Sequence, residues 1–255
     1  MDSEKIFNRV EKKYLISESQ KHTVIKAINK HMEHDRYHKA DIFNIYYDND
    51  NYDSIIESIE RPLFKVKLRA RSYAGYNKVF LEIKTKLLGR AYRNKILASN
   101  DNLDDNNYGY KRRVLITHQD YNRFAKNPST ITELAKRKFK LPSDIQIAKE
   151  IDYLISTMDL KPKILVSYTR ESYIGPEDLR ITFDTNLTYR NHNLRFTKSI
   201  KDKSYFDDNT TIMEIKAKNA LPLWLVKILS AEHIYPQTFS KIGKIYEKIV
   251  SNNVV

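Results

Sequence analysis

The stretch FKVKLRARSY, residues 64–73, places Lys65, Lys67, Arg69 and Arg71 on odd positions, with Phe64, Val66, Leu68 and Ala70 between them. Successive side chains of a β-strand point to opposite faces, so the stretch reads as a strand with four cations on one face and an apolar stripe on the other. Like charges crowded along one face repel, and the reading turns on what that face meets.

The alternation recurs along the chain. In RVEKKYLI (9–16), Arg9, Glu11 and Lys13 share a face, and in VFLEIKTK (79–86), Glu82, Lys84 and Lys86 lie opposite Leu81 and Ile83. Lys111 and Arg113 fall together in YKRRVLI (110–116). Arg180, Thr182 and Asp184 oppose Leu179, Ile181 and Phe183, while Glu214, Lys216 and Lys218 oppose Met213, Ile215 and Ala217. Any one such strand also fits an antiparallel sheet with one face on the core and one in water. A solvated face, however, mixes Thr, Ser, Gln and both charge signs, whereas these faces are dominated by Lys and Arg with a few carboxylates. The economical arrangement is a sheet curled with its charged faces inward and amphipathic helices outside. An interior so basic needs anions, and Arg forks with Lys point charges and one or two carboxylates are the chemistry of a polyphosphate site.

Composition agrees. The 45 Lys+Arg against 32 Asp+Glu leave a formal +13, which calls for nucleic acid, an acidic membrane or phosphates as partner, or else marks a solvated Lys coat. The absence of cysteine excludes disulfides, thiolate metal sites and Cys nucleophiles. The opening MDSEKIFNRVEKKY has no apolar core, so no signal peptide is expected, and no apolar run reaches membrane-spanning length. No nucleic-acid motif accompanies the charge, and the cations lie on strand faces beside carboxylates, so a nucleic-acid partner is not expected. The seven His show no metal-ligand spacing, and His31, His34 and His38 read as surface groups near a helix end.

Strands are expected at 9–16, 41–47, 62–73, 78–86, 110–116, 163–173, 179–189 and 210–218. A hairpin turn is expected at Ala74-Gly75-Tyr76-Asn77. The capping box Ser17/Gln20 opens a helix, and further helices are expected at 118–126, 130–138, 143–158, 222–232 and 238–250. Residues 1–255 read as one domain with an insertion at about 87–107: LLGRAYRNKI, with Arg90, Arg93 and Lys95, fits a further strand, an extra hairpin or lid, or a plain surface insertion, and the Asn/Asp-rich SNDNLDDNNYG reads as a loop.

Nine motifs resemble, in order, the VTC (vacuolar transporter chaperone) polyphosphate polymerase domain. They are EKKY at 11–14, IYYDND at 45–50, KLRARSY at 67–73, FLEIKTK at 80–86, YKRRV at 110–114, SYTRESY at 167–173, LRITFDTNLT at 179–188, MEIKAK at 213–218 and FSKIGKIYE at 239–247. That family belongs to the triphosphate tunnel metalloenzymes, and the resemblance implies an α+β fold: an antiparallel β-barrel tunnel with a charged interior and helices packed outside. It implies transfer of the γ-phosphoryl group of ATP onto a growing inorganic polyphosphate chain, with Mn²⁺ or Mg²⁺ as cofactor. Residue by residue it gives phosphate-binding roles to Lys13, Arg69, Arg71, Lys84, Arg170, Arg180 and Lys241, with Ser240 beside Lys241. Glu214 matches the metal-ligand carboxylate, and Glu11 is a second ligand. Lys111, Arg113 and Lys216 fit the tunnel lining by alternation, with Lys65 and Lys67 towards an entrance. Relatives that hydrolyse triphosphates carry E-x-E-x-K, and here Arg9 makes it R-x-E-x-K, which favours the polymerase branch over hydrolysis. A non-catalytic polyphosphate sensor is the remaining alternative. The implied partners are ATP, polyphosphate and a separate membrane protein that receives the polymer. The implied location is the cytoplasm, or the inner face of a membrane through that partner.

Overall fold

The computed structural model describes residues 10–60, 64–87, 108–127, 131–206, 208–218 and 220–252. The insertion at about 87–107, with Arg90, Arg93 and Lys95, lies outside these residues apart from Leu87, and so does Arg9. The strands are β1 (Val10–Ile16), β2 (Glu33–Asp48), β3 (Phe64–Tyr73), β4 (Lys78–Leu87), β5 (Tyr108–Thr117), β6 (Lys161–Ile174), β7 (Arg180–Arg190), β8 (Lys203–Ser204) and β9 (Thr211–Ala217). They hydrogen-bond in the order β1-β9-β7-β6-β2-β3-β4-β5, with β8 beside β7, and the pairings β1–β9, β7–β9, β3–β4 and β4–β5 are antiparallel. The pairing runs from β1 to β5 without a ladder joining those two strands among the described residues. The helices are α1 (Glu18–Ile28), α2 (Asp53–Glu60), α3 (His118–Lys126), α4 (Ile131–Lys138), α5 (Pro142–Met158), α6 (Leu223–Ala231) and α7 (Lys241–Asn252).

Contacts divide the chain into two compact units. The first is built from Met1–Ile42, Ser167–Thr188 and Lys203–Phe239; the second from Phe43–Val166, Tyr189–Asp202 and Ser240–Val255. In the second unit the even-numbered apolar side of β3, Leu68 and Ala70, joins Leu81 and Ile83 of β4 and Val114 and Ile116 of β5. This stripe packs against Tyr121 and Phe124 of α3, Ile131 and Ala135 of α4, and Ala148 and Ile151 of α5. In the first unit Tyr14, Met213, Ile215, Ile181 and Phe183 form the corresponding stripe, packed on Val24 and Ile28 of α1 and Leu225 and Leu229 of α6. Helices therefore cover the apolar face in each unit, and the charged side chains lie on the other. Leu81 is fully buried, so Leu81→Ala should cost about 2–5 kcal/mol, read as a lower urea midpoint.

Two elements depart from the sequence reading. Strand β2 begins at Glu33, well before Asp41, because the polar EHDRYHKAD run is held by sheet pairing and not by an apolar pattern. His34 and His38 consequently lie on a strand, where their rings stack at 3.6 Å and meet the edge of Tyr173 at 5.1 and 5.6 Å. Helix α2 lies where no helix is expected from the sequence pattern. Its first N–H groups are satisfied from upstream: the buried Asp48 carboxylate accepts from Ser54 N at 3.0 Å and Ile55 N at 2.9 Å. That spacing is longer than a local cap, so no capping pattern next to Asp53 announces the helix. The capping box of α1 is as expected, with Ser17 Oγ accepting from Gln20 N and Gln20 Oε1 accepting from Ser17 N.

Candidate functional site

The register of the second unit sets its charged face. Arg69 stands opposite Glu82, which stands opposite Arg113; Lys67, Lys84 and Lys111 form the next row, and Lys65 faces Lys86. Among the described residues of β3, β4 and β5 on this side, Glu82 is the one acid. It is 1% exposed and sits between two strands' cations: Arg69 Nε donates to its Oε2 at 2.6 Å, and Lys111 Nζ to its Oε1 at 3.3 Å. Burial alone would raise the Glu82 carboxyl, but the charges of Arg69, Arg71 and Lys111, with the Arg69 hydrogen bond, bring it down to about 2. Arg71 is tethered on the other side of β3, where Nε donates at 2.8 Å to Oδ1 of the fully buried Asn44. The Asn44 amide in turn donates to Val166 O at 3.2 Å. The Nε groups of Arg69 and Arg71 are thus drawn to opposite neighbours, one to an acid and one to a neutral amide. Arg113 lies 4.7 Å over the Phe80 ring. Ser240 and Lys241 open α7, with Ser240 Oγ accepting from Gly243 N at 3.4 Å.

The Glu82 shift has a worked pH consequence. Its folded value lies below its ordinary value of 4.5, so the stabilisation is complete above about 4.5 and is lost as pH falls through about 2. Glu82→Gln should therefore cost on the order of 3 kcal/mol at pH 7, and the gap to wild type should close between about pH 4.5 and pH 2. Denaturant midpoints at a series of pH values check this; a gap constant across that range would contradict it.

The first unit's charged face is balanced differently. The β1–β9–β7 register aligns Lys13, Glu214 and Thr182 in one row and Glu11, Lys216 and Arg180 in the next. Lys216 Nζ lies 2.7 Å from Glu214 Oε1 and 3.5 Å from Glu11 Oε2, so one ammonium bridges the two carboxylates. Lys13 Nζ is 3.6 Å from Glu11 Oε1 and donates to Phe239 O at 3.1 Å. Arg170 is held side-on by Asp184, Nε to Oδ1 at 2.6 Å and Nη2 to Oδ2 at 2.7 Å. Burial acts to raise the Glu214 carboxyl, but the charges of Lys216, Arg170 and Lys13 with the Lys216 hydrogen bond hold it well below the usual carboxylate range. Arg180 shares this face by register, but its guanidinium donates to Asp35 on β2 at 2.7 Å.

The structure thus groups Lys13, Arg170, Arg180, Lys216, Glu11 and Glu214 in one unit, and Arg69, Arg71, Lys84, Lys111, Arg113, Ser240 and Lys241 in the other. The partners that orient them were not singled out from the sequence. Glu82 and Asp184 carried a signal, as acids sharing a strand face with Lys or Arg, whereas Asn44 carried none because its contact depends on β2 lying beside β3. For a divalent metal, no group of three or more His or acidic side chains occurs among the described residues. Glu214 and Glu11 nevertheless fit a hard cation of the Mg²⁺ or Mn²⁺ kind, which binds through one or two carboxylates and takes its remaining oxygens from phosphate and water. They already share one cation, the Lys216 ammonium.

A family model described as the VTC domain matches residues 8–249. Subunit 4 of the vacuolar transporter chaperone complex of Schizosaccharomyces pombe is 27% identical over 180 residues, covering 66% of this chain and 23% of that protein. The chain therefore spans about a quarter of that relative's length. Among solved structures, the Hippeastrum protein HpAC1, described by its dominant triphosphatase activity, aligns with a TM-score of 0.55 at 16% identity. The alignment covers 94% of this chain and 96% of the other. This likeness establishes the fold, the triphosphate tunnel fold with its antiparallel sheet and flanking helices.

Proposed function

The chain belongs to the VTC domain family, and on that premise we propose that it is a metal-dependent phosphotransferase that moves the γ-phosphoryl group of ATP onto a growing inorganic polyphosphate chain. The observation that supports this reading best is the β3–β5 face, where the register sets Lys67, Lys84 and Lys111 in one row and Arg69, Glu82 and Arg113 in the next. Such a face is most stable with several anionic oxygens against it, and a phosphate chain supplies them at close repeat.

Phosphoryl transfer needs in-line geometry and charge neutralisation more than covalent help. Arg69 and Arg71, oriented by Glu82 and Asn44, would bind phosphate oxygens as forks, while Lys67, Lys84 and Lys111 add point charge. In the other unit Lys13, Lys216 and Arg170 would hold phosphate beside Glu214 and Glu11. Glu214 and Glu11 would hold a divalent metal, which when bound would supply neutralisation of the phosphate charge. The acceptor is the terminal oxyanion of polyphosphate, already ionised, so these residues need not supply a strong general base. Ser240 and Lys241, at the N-terminus of α7, would contact product or incoming phosphate.

No helix among the described residues is long and apolar enough to cross a membrane. A separate membrane subunit that takes up the polymer completes the proposal, in keeping with the S. pombe relative's description as one subunit of a complex. The test is incubation with ATP and Mn²⁺, with and without a short polyphosphate primer, scored for polymer on a gel. Chains that lengthen with time support the reading. Free phosphate alone would make the protein a hydrolase, and tight polyphosphate binding without either product would make it a sensor.

A further inference from the structure

We propose that the Thr182 hydroxyl is a ligand-binding group of the first unit's charged face, donating a hydrogen bond to an oxygen of bound phosphate; this rests on the phosphate reading above. Thr182 lies in the middle of β7, and its neighbours Ile181 and Phe183 are buried in the core formed with α1 and α6. Alternation puts Thr182 on the other face, directly opposite Glu214, which is itself opposite Lys13 on β1. Thr182 is 5% exposed, and its Oγ1 is buried with no hydrogen-bond partner among the described residues. Other buried side-chain atoms share that condition, but Thr182 is the one set opposite Glu214 in the register.

A buried hydroxyl left unpaired is a cost, and native side chains usually avoid it. Packing does not require one here, since valine has the same branched shape and an equal liking for strands. The nearest carboxylates along the register do not relieve it: Glu214 is engaged by Lys216 and Asp184 by both nitrogens of the Arg170 fork. An oxygen bound on this face would supply the missing partner. With Lys13, Lys216 and Arg170 around it, an anionic oxygen is the partner of matching charge, and a hydroxyl is a suitable neutral donor to it. Thr182 would then add direction where the ammonium groups add only charge.

This role has a signature that a structural role lacks. In the absence of ligand, Thr182→Val removes an unpaired buried hydroxyl, so the variant should unfold at the same temperature as wild type or higher. Yet its affinity for tripolyphosphate, measured by calorimetry on the full chain, should fall about 10-fold or more, as for loss of a hydrogen bond to a charged group. Thr182→Ser, which keeps the hydroxyl, should bind close to wild type. Wild-type affinity in Thr182→Val would overturn the assignment alone, as would a lowered unfolding temperature with unchanged binding. Failure of the wild-type chain to bind tripolyphosphate would overturn the phosphate reading and this assignment together.

Discussion

Arg71→Ala is expected to slow polyphosphate formation by about 100- to 1,000-fold while shifting the unfolding temperature by only a few degrees. On the proposed mechanism the large effect follows from its place on a face where Glu82 is the one acid among the described residues of β3–β5, so that each guanidinium would neutralise charge that builds on the transferred group. The small structural effect follows from its tether. Arg71 Nε is held by Asn44, which is neutral, and the buried Glu82 carboxylate keeps its hydrogen bonds from Arg69 and Lys111 when Arg71 is removed. Arg69→Ala is the instructive contrast. It strips Glu82 of its closest partner, leaving a carboxylate of 1% exposure with Lys111, and should destabilise by several kcal/mol as well as abolish turnover. Pairing Arg69→Ala with Glu82→Gln should recover most of that stability and none of the activity. Parallel melting curves and initial rates for the three variants separate the two effects, and wild-type rates in Arg71→Ala would remove this face from the mechanism.

Glu214→Gln is expected to lower turnover by at least about 100-fold, with no gain from added Mn²⁺. Its effect on anion binding should have the opposite sign. The carboxylate now offsets Lys216, Arg170 and Lys13, so neutralising it leaves those cations uncompensated. Tripolyphosphate affinity measured without metal should therefore hold or rise while catalysis collapses. Because the carboxyl is held well below the usual carboxylate range, the wild-type group stays ionised from pH 5 to pH 8, and no activity step in that interval should belong to it. A Glu214→Gln enzyme that turns over normally would exclude the carboxylate as metal ligand. A loss of metal-free tripolyphosphate binding equal to the loss of rate would instead make Glu214 a structural residue.

How far the sequence carried these conclusions differs by level. Alternation over residues 64–73 and 78–86 was enough for the β3–β4 hairpin, for the sides its cations take, and for the helix-covered opposite face. The start of β2 and the existence of α2 were not legible, since one is decided by pairing to neighbouring strands and the other by Asp48 capping from a distance. The cations of the site were legible as residue types, but their orientation was not. That Arg69 turns to Glu82 and Arg71 to Asn44 depends on which strands flank β3, and strand order is a property of the whole sheet. Arg180 shows the same limit: alternation assigns its face correctly, while its pairing with Asp35 joins residues far apart in sequence. Thr182 read as an ordinary strand threonine, and only the surroundings of its hydroxyl single it out.

The most direct measurement follows the γ-phosphate itself. With ATP labelled at that position, Mn²⁺ and a short unlabelled polyphosphate primer, the wild-type chain should place label in chains longer than the primer, and Arg71→Ala and Glu214→Gln should not. Label recovered as orthophosphate alone, in the presence of primer and metal, would contradict the account.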